Sequence, residues 1–156
     1  MKAKVLESSV TFEFKGENTE SLLLGLCNEL SRKDHFDAYS LDDTITVSSD
    51  LFSEEGIASE VYLLCGGKID FLFNVNPGNH VVNVARSSVR IGFFGYRDND
   101  FADEVKSLMS NILFIDTTTD GNEITVWSKN HSCSELRVIV ECDSREVSDK
   151  IEWIKN

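Results

Sequence analysis

The chain has 156 residues and a net charge of -12, and 41% of its residues are hydrophobic. This composition excludes a disordered chain and is typical of a compact protein that needs no disulfide to fold. Free nucleic acid and anionic membranes are disfavoured as partners, because both bind clustered cations and the chain has 15 Lys and Arg against 27 Asp and Glu. The apolar runs fall short of the roughly 18 residues that span a bilayer. The N-terminus has no secretory pattern, so we expect a cytoplasmic protein.

An internal duplication organises the chain, at a constant offset of 79 residues. The segment VLESSVTFEFKG, which begins at Val5, aligns without gaps on VARSSVRIGFFG, which begins at Val84. The same register places the Ile-Thr-Val triplet that begins at Ile45 on the one that begins at Ile124. Two matches in a single register indicate two copies of one structural unit.

The copies predict one domain, residues 1–156, made of pseudo-repeats 1–78 and 79–156. Each half alone is near the lower size limit for independent stability, so we expect the two halves to share a core. A run of turn-forming residues, Asn76-Pro77-Gly78-Asn79, marks the boundary between the copies.

Each repeat opens with a strand-like segment whose apolar positions change parity at a Ser-Ser pair, Ser8-Ser9 or Ser87-Ser88. Because side chains alternate across a strand, this slip predicts a bulge or a tight turn. Beyond the next glycine, apolar residues recur at helical spacing and predict one amphipathic helix per copy. These residues are Leu22, Leu26 and Leu30 in the first copy and Phe101, Val105 and Met109 in the second.

Each helix is followed by an extended stretch, a polar turn and the shared Ile-Thr-Val strand. The turns are Leu41-Asp42-Asp43 and Asp120-Gly121-Asn122. Each repeat therefore has the predicted order β-α-β-β, with a further strand possible at its end. The predicted fold class is α+β, an antiparallel sheet with helices packed on one face.

The end of the first copy allows two interpretations. We favour a strand over residues 61–65, joined through Gly66-Gly67 to a second strand that begins at Ile69. Residues 53–65 also fit a helix that stops at Gly66.

The end of the second copy is predicted to differ from that of the first, because the register shifts beyond the shared strand. Residues 136–142 match the strand proposed for the first copy. The tetrapeptide Asp143-Ser144-Arg145-Glu146 resembles a capping box and predicts a terminal helix through Val147, Ile151 and Ile154.

No residue pattern predicts catalysis, a metal or a cofactor. His35 and Asp37 project to opposite faces of an extended segment. His131 and Cys133 lack the spacing of a metal site, and a loop that precedes a strand explains them. The four cysteines show no CxxC spacing and are expected to be free thiols. We therefore predict a non-enzymatic protein.

Acidic residues concentrate in the first repeat, which holds fourteen acids and six bases. No Lys or Arg occurs between Lys33 and Lys68, although eight acids do. A solvated face is the simplest meaning of such a run. The alternative is a contact surface, because a focused negative field speeds encounters with a cationic partner.

The functional hypothesis is an inhibitor that occludes a basic, nucleic-acid-handling site on a partner protein such as a nuclease. It would be an immunity protein, or a phage-type anti-defence protein that imitates DNA. The predicted contact set has six carboxylates and two aromatic residues: Asp37, Asp42, Asp43, Asp50, Glu54 and Glu55, with Tyr39 and Phe52. Its partner is a basic protein surface, with no direct contact to nucleic acid or membrane.

Two other functions fit the sequence. One is a small-molecule binder or an enzyme with a pocket at the boundary between the copies, near Cys65, His80, Arg86 and Arg90. The other is an assembly module that pairs through an exposed sheet edge.

Overall fold

The computed structural model describes residues 1–65, 69–70 and 80–155, with only the backbone described at 69–70. These residues form eight strands and four helices in an α+β arrangement with an antiparallel sheet, as the sequence predicts. The strands are β1 (Lys2–Lys15), β2 (Phe36–Leu41), β3 (Thr44–Ser49), β4 (Ile69–Asp70), β5 (His80–Phe94), β6 (Asp116–Asp120), β7 (Glu123–Ser128) and β8 (Glu152–Ile154). The helices are α1 (Thr19–Ser31), α2 (Glu54–Leu64), α3 (Asp98–Met109) and α4 (Cys133–Val147). Within the described residues, no helix is long and apolar enough to cross a membrane.

The chain divides into two compact units. The first unit is Ser9–Arg86, and the second unit combines Met1–Ser8 with the residues from Ser87 onward. Each limit lies eight residues after the corresponding limit of the predicted repeats. The reason is that the long strands β1 and β5 each contribute residues to both units. Both strands run through their Ser-Ser pair without a turn, so the predicted tight turn is wrong.

The first unit has the strand order β2-β3-β1-β5, with β4 parallel to β5. Helices α1 and α2 contact each other and β3, so both pack on the same face of this sheet. Alternation along the strands and helical spacing along α1 and α2 bring the apolar side chains together. The largest fully buried residues are Phe12, Phe14, Leu23, Leu30, Ile45 and Ile57.

The second unit has the strand order β6-β7-β5-β1, with β8 parallel to β1. Helices α3 and α4 contact each other and β7, and both pack on the same face. The apolar residues predicted for α3, Phe101, Val105 and Met109, are all buried. The rest of this core includes Ile91, Phe93, Ile124, Val126, Leu136 and Val140.

The 79-residue offset also relates backbone hydrogen bonds and helix N-caps of the two copies. The Phe14 amide donates to the Asp43 carbonyl at 2.8 Å, and the equivalent Phe93 amide donates to the Asn122 carbonyl at 2.9 Å. Beyond the shared strand, the N-caps of α2 and α4 are Ser53 and Ser132. These positions also differ by 79, so α2 and α4 are equivalent helices.

Two predicted elements at the ends of the copies are therefore wrong. Residues 61–65 are not a strand, because the Ser53 hydroxyl caps a helix that buries Ile57 and Val61. The alternative helical interpretation of residues 53–65 is confirmed. The part of the predicted hairpin at residues 66–68 and 71–79 lies outside the described residues.

At the C-terminal end, residues 136–142 are helical and the predicted terminal helix is absent. The capping box lies at Ser132 and Glu135, eleven residues before the predicted box at Asp143 and Glu146, so α4 begins at Cys133. The segment after α4 forms β8, which pairs with Lys2–Lys4. A pairing between residues so distant in sequence leaves no local pattern from which to predict it.

Asp42 occupies a position where the second copy has glycine. Its φ is 55°, and the equivalent Gly121 has φ 60°. A residue with a Cβ is strained in this left-handed region. We expect Asp42→Gly to raise the free energy of unfolding by about 0.5–1 kcal/mol and Gly121→Asp to lower it by a similar amount.

Urea unfolding of the two variants measures this effect. Asp42→Asn is the matched control, because it removes the charge and keeps the Cβ, so its stability should stay close to that of the wild type. An Asp42→Gly variant no more stable than Asp42→Asn would contradict the assignment of strain to this turn.

Candidate binding surface on the first unit

Strand β2 carries an exposed row of side chains on the face of the sheet that points away from the helices. Its register with β3 places Phe36, Ala38 and Ser40 opposite the buried face of β3. The intervening residues Asp37, Tyr39 and Leu41 therefore lie on the opposite face, about 7 Å apart. We call these three residues the β2 row. The side chains of Tyr39 and Leu41 are 65% and 68% exposed.

Hydroxyl groups continue this face across the neighbouring strands. Tyr39 lies opposite Thr46, whose hydroxyl is 2.9 Å from that of Thr11 on β1. Asp37 lies opposite Ser48, whose hydroxyl is 2.7 Å from that of Ser9. A tyrosine and a leucine therefore stand exposed on the edge strand beside these hydroxyl groups.

The equivalent strand of the second unit serves as an internal comparison. At the 79-residue offset, Asp37 corresponds to Asp116, Tyr39 to Thr118 and Leu41 to Asp120. All three residues of β6 are exposed in the same way. The two edge strands share one backbone arrangement, and only the first exposes large apolar side chains. Packing within the unit does not require them, because β6 forms without them.

The turn between β2 and β3 adds two carboxylates, those of Asp42 and Asp43, which we call the turn acids. Both are exposed. Within the described residues neither forms an ion pair. They border an open depression of about 570 Å³ whose other wall is the start of α1. The remaining lining residues are Gly16, Asn18, Thr19, Glu20 and Ser21.

This depression is suited to a cationic group. Three of its lining residues, Glu20, Asp42 and Asp43, are carboxylates, and none is basic. A lysine or arginine head group that enters it would meet acceptors without a competing cation.

The other three predicted carboxylates lie at the opposite end of the β2–β3 hairpin. Asp50 follows β3 and is 3.0 Å from the His35 imidazole, through Oδ1 and Nδ1. Glu54 and Glu55 occupy the first turn of α2, where carboxylates stabilise a helix through its dipole. A strand of six residues spans about 17 Å, which separates this group from the turn acids.

The two predicted aromatic residues also separate. Phe52 stacks on Phe36 at 5.0 Å between ring centroids, on the helix side of the sheet. Tyr39 lies on the open face. The structure therefore places Tyr39 beside the turn acids, and Asp37 lies on the same open face nearer the other end of β2. Leu41 belongs to this group and was absent from the predicted set, although its equivalence to Asp120 signalled it.

Residues weighed for chemistry have structural roles. His131 is 3.1 Å from Glu135, and hydrogen bonds from His131 and Ser132 lower the pKa of Glu135. Cys133 is buried, and desolvation raises the pKa of the Cys65 thiol, which disfavours the reactive thiolate of Cys65. Among the described residues, no group of three or more histidine, cysteine or acidic side chains is placed to hold a metal.

The boundary residues also have local partners. The His80 Nε2 atom is 2.7 Å from the Glu17 carbonyl oxygen. Arg90 belongs to the second unit, where its guanidinium donates to Glu123 at 3.0 Å and lies 3.8 Å from Glu7.

No protein-family model matches the chain, and no curated protein matches it. Among solved structures, the chain is similar to the ligand-free regulatory subunit of aspartate kinase from Thermus thermophilus. The sequence identity is 8% and the TM-score is 0.31, over 89% of this chain and 93% of that chain. We assign no function from a similarity of this size.

Proposed function

We propose that the protein is a non-enzymatic binding protein whose first unit docks on a basic surface of a partner protein. The proposal rests chiefly on one observation: the β2 row exposes Tyr39 and Leu41 where the second unit has Thr118 and Asp120. Exposed aromatic and aliphatic side chains that folding does not require are typical of a contact surface.

The charge beside the β2 row supports a basic partner. Asp37 and the turn acids flank Tyr39 and Leu41, and the chain as a whole carries a net charge of -12. A negative field steers cationic surfaces into contact, and apolar anchors then hold them. Among basic protein surfaces, those that handle nucleic acid combine clustered Lys and Arg with grooves. The proposed action is occlusion of such a groove, as by an immunity protein or an anti-defence inhibitor.

The test is affinity capture of the partner at low salt from cells that produce the protein, followed by competition with duplex DNA and RNA. We expect a basic protein that no longer binds nucleic acid in the complex. The variant Asp42→Lys/Asp43→Lys should weaken its binding about tenfold or more. The matched variant Asp116→Lys/Asp120→Lys makes the same change of net charge on the second unit and should bind nearly as wild type does.

Capture alone does not support the proposal. A captured protein that retains its nucleic-acid binding within the complex would overturn occlusion. Equal weakening by the two double variants would overturn the assignment to the first unit. Failure to capture any partner at low salt also counts against the proposal.

A further inference from the structure

The backbone of β2 offers hydrogen-bonding groups on its outer side. The Asp43 carbonyl accepts from Phe14, so the odd-numbered residues of β3 face β1 and the even-numbered ones face β2. In the observed register, residues 37, 39 and 41 of β2 then bond to β3. The amides and carbonyls of Ala38 and Ser40 therefore point outward. Among the described strands, β2 ends the sheet on this side.

These outward groups are nearly all available. The Ala38 amide donates to its neighbour Asp37 at 3.0 Å, which confirms that it does not face β3. The amide and carbonyl of Ser40 bind no group in the described part of the chain.

Strand β2 also lacks the features that usually protect a sheet edge. It contains no proline or lysine, and its six pairs with β3 run in unbroken register without a bulge. The single charged residue of β2 is Asp37, whereas β6 has an aspartate at its first and at its last position. An unprotected edge with exposed apolar side chains is a template for a further strand.

We infer that the partner binds by adding an extended, lysine- or arginine-containing segment as a strand along the outer edge of β2. The inference rests on the proposed function and specifies how the partner docks. Main-chain bonds to Ser40 and Ala38 align the segment, and its side chains on the open face pack beside Tyr39 and Leu41. Its cations lie next to Asp37 and the turn acids. A second copy of this chain is a poorer occupant, since two chains of net charge -12 repel each other.

The probe is a synthetic peptide of the length of β2 with alternating lysine and valine, and its control alternates glutamate and valine. Amide hydrogen exchange followed by NMR should show that the lysine peptide slows exchange at Ser40 about tenfold. The matched amide of Thr119, which points outward from β6, should not respond. Ser40→Pro should weaken peptide binding about tenfold, and Thr119→Pro should leave it unchanged.

The exchange measurement on the wild-type protein tests strand addition along β2 even if the Ser40→Pro variant does not fold. Salt-sensitive peptide binding with unchanged exchange at Ser40 would overturn strand addition and leave the proposed function standing. Equal protection by the glutamate peptide would overturn both. Protection of Ser40 without peptide, with the mass of a dimer in light scattering, would assign the edge to a second copy. Absence of any peptide binding would overturn the inference, while the capture experiment decides the proposed function separately.

Discussion

Exchange of Tyr39 for threonine and of Leu41 for aspartate should weaken partner binding by about 2 kcal/mol or more, roughly thirtyfold in Kd. These are the residues that the second unit carries at the same positions of its edge strand. Both wild-type side chains are mostly exposed, so the exchange should change the free energy of unfolding by only about 0.5 kcal/mol. Isothermal titration with the captured partner measures the first effect, and urea unfolding measures the second.

The reciprocal exchange in the second unit is the control for this prediction. Thr118→Tyr/Asp120→Leu gives β6 the apolar residues of the β2 row and leaves the first unit unchanged. It should not reduce the affinity for the partner. A Tyr39→Thr/Leu41→Asp protein that is folded and binds as tightly as wild type would contradict the role of the β2 row.

Truncation of Phe93 should cause the largest loss of stability. Its side chain is fully buried and meets Phe101 edge to face, with 4.9 Å between ring centroids. Phe93→Ala removes this contact and leaves a cavity in the core of the second unit, at a cost of about 3–5 kcal/mol. Both tryptophans, Trp127 and Trp153, lie in this unit. Tryptophan fluorescence during urea unfolding therefore reports on the unit that the substitution affects.

The neighbouring Phe94 provides a matched control. It precedes the same glycine loop, but its side chain is 42% exposed. Phe94→Ala should cost about 1 kcal/mol, because the atoms removed are partly in water already. Equal losses of stability in the two variants would show that β5 is not oriented as described.

Much of the fold could be predicted because the duplication shows the pattern of most elements twice in the sequence. The turn at Asp42 and its counterpart at Gly121 appear at the same offset as the strands they join, and both are found in the structure. The strand predicted over residues 61–65 is wrong because this short apolar run, VYLLC, fits a buried strand as well as a helix, whereas the helical spacing of Ile57, Val61 and Leu64 indicates α2. The equivalent caps Ser53 and Ser132 would have resolved the ambiguity, since both precede a helix.

The candidate site was only partly predictable. Composition located the acids in the first repeat, and the hairpin did place Asp42 and Asp43 together at its turn. Sequence could not show that Asp50 pairs with His35, because the residue before β2 and the residue after β3 meet only when the two strands pair. Alternation alone does not show that Leu41 is exposed, because an apolar residue in an alternating strand is ordinarily expected to face the core. Only the aspartate at the equivalent position of the second copy, Asp120, indicates its exposure.

The most direct test of the β2 row as the docking surface is site-specific photocrosslinking. A photoreactive phenylalanine derivative is placed at Tyr39 in one protein and at Thr118 in another, and each is irradiated with the captured basic partner at low and high ionic strength. We expect a crosslink to the partner from position 39 that weakens as the ionic strength rises, and no crosslink from position 118. Equal crosslinks from the two positions, or a crosslink from position 118 alone, would contradict it.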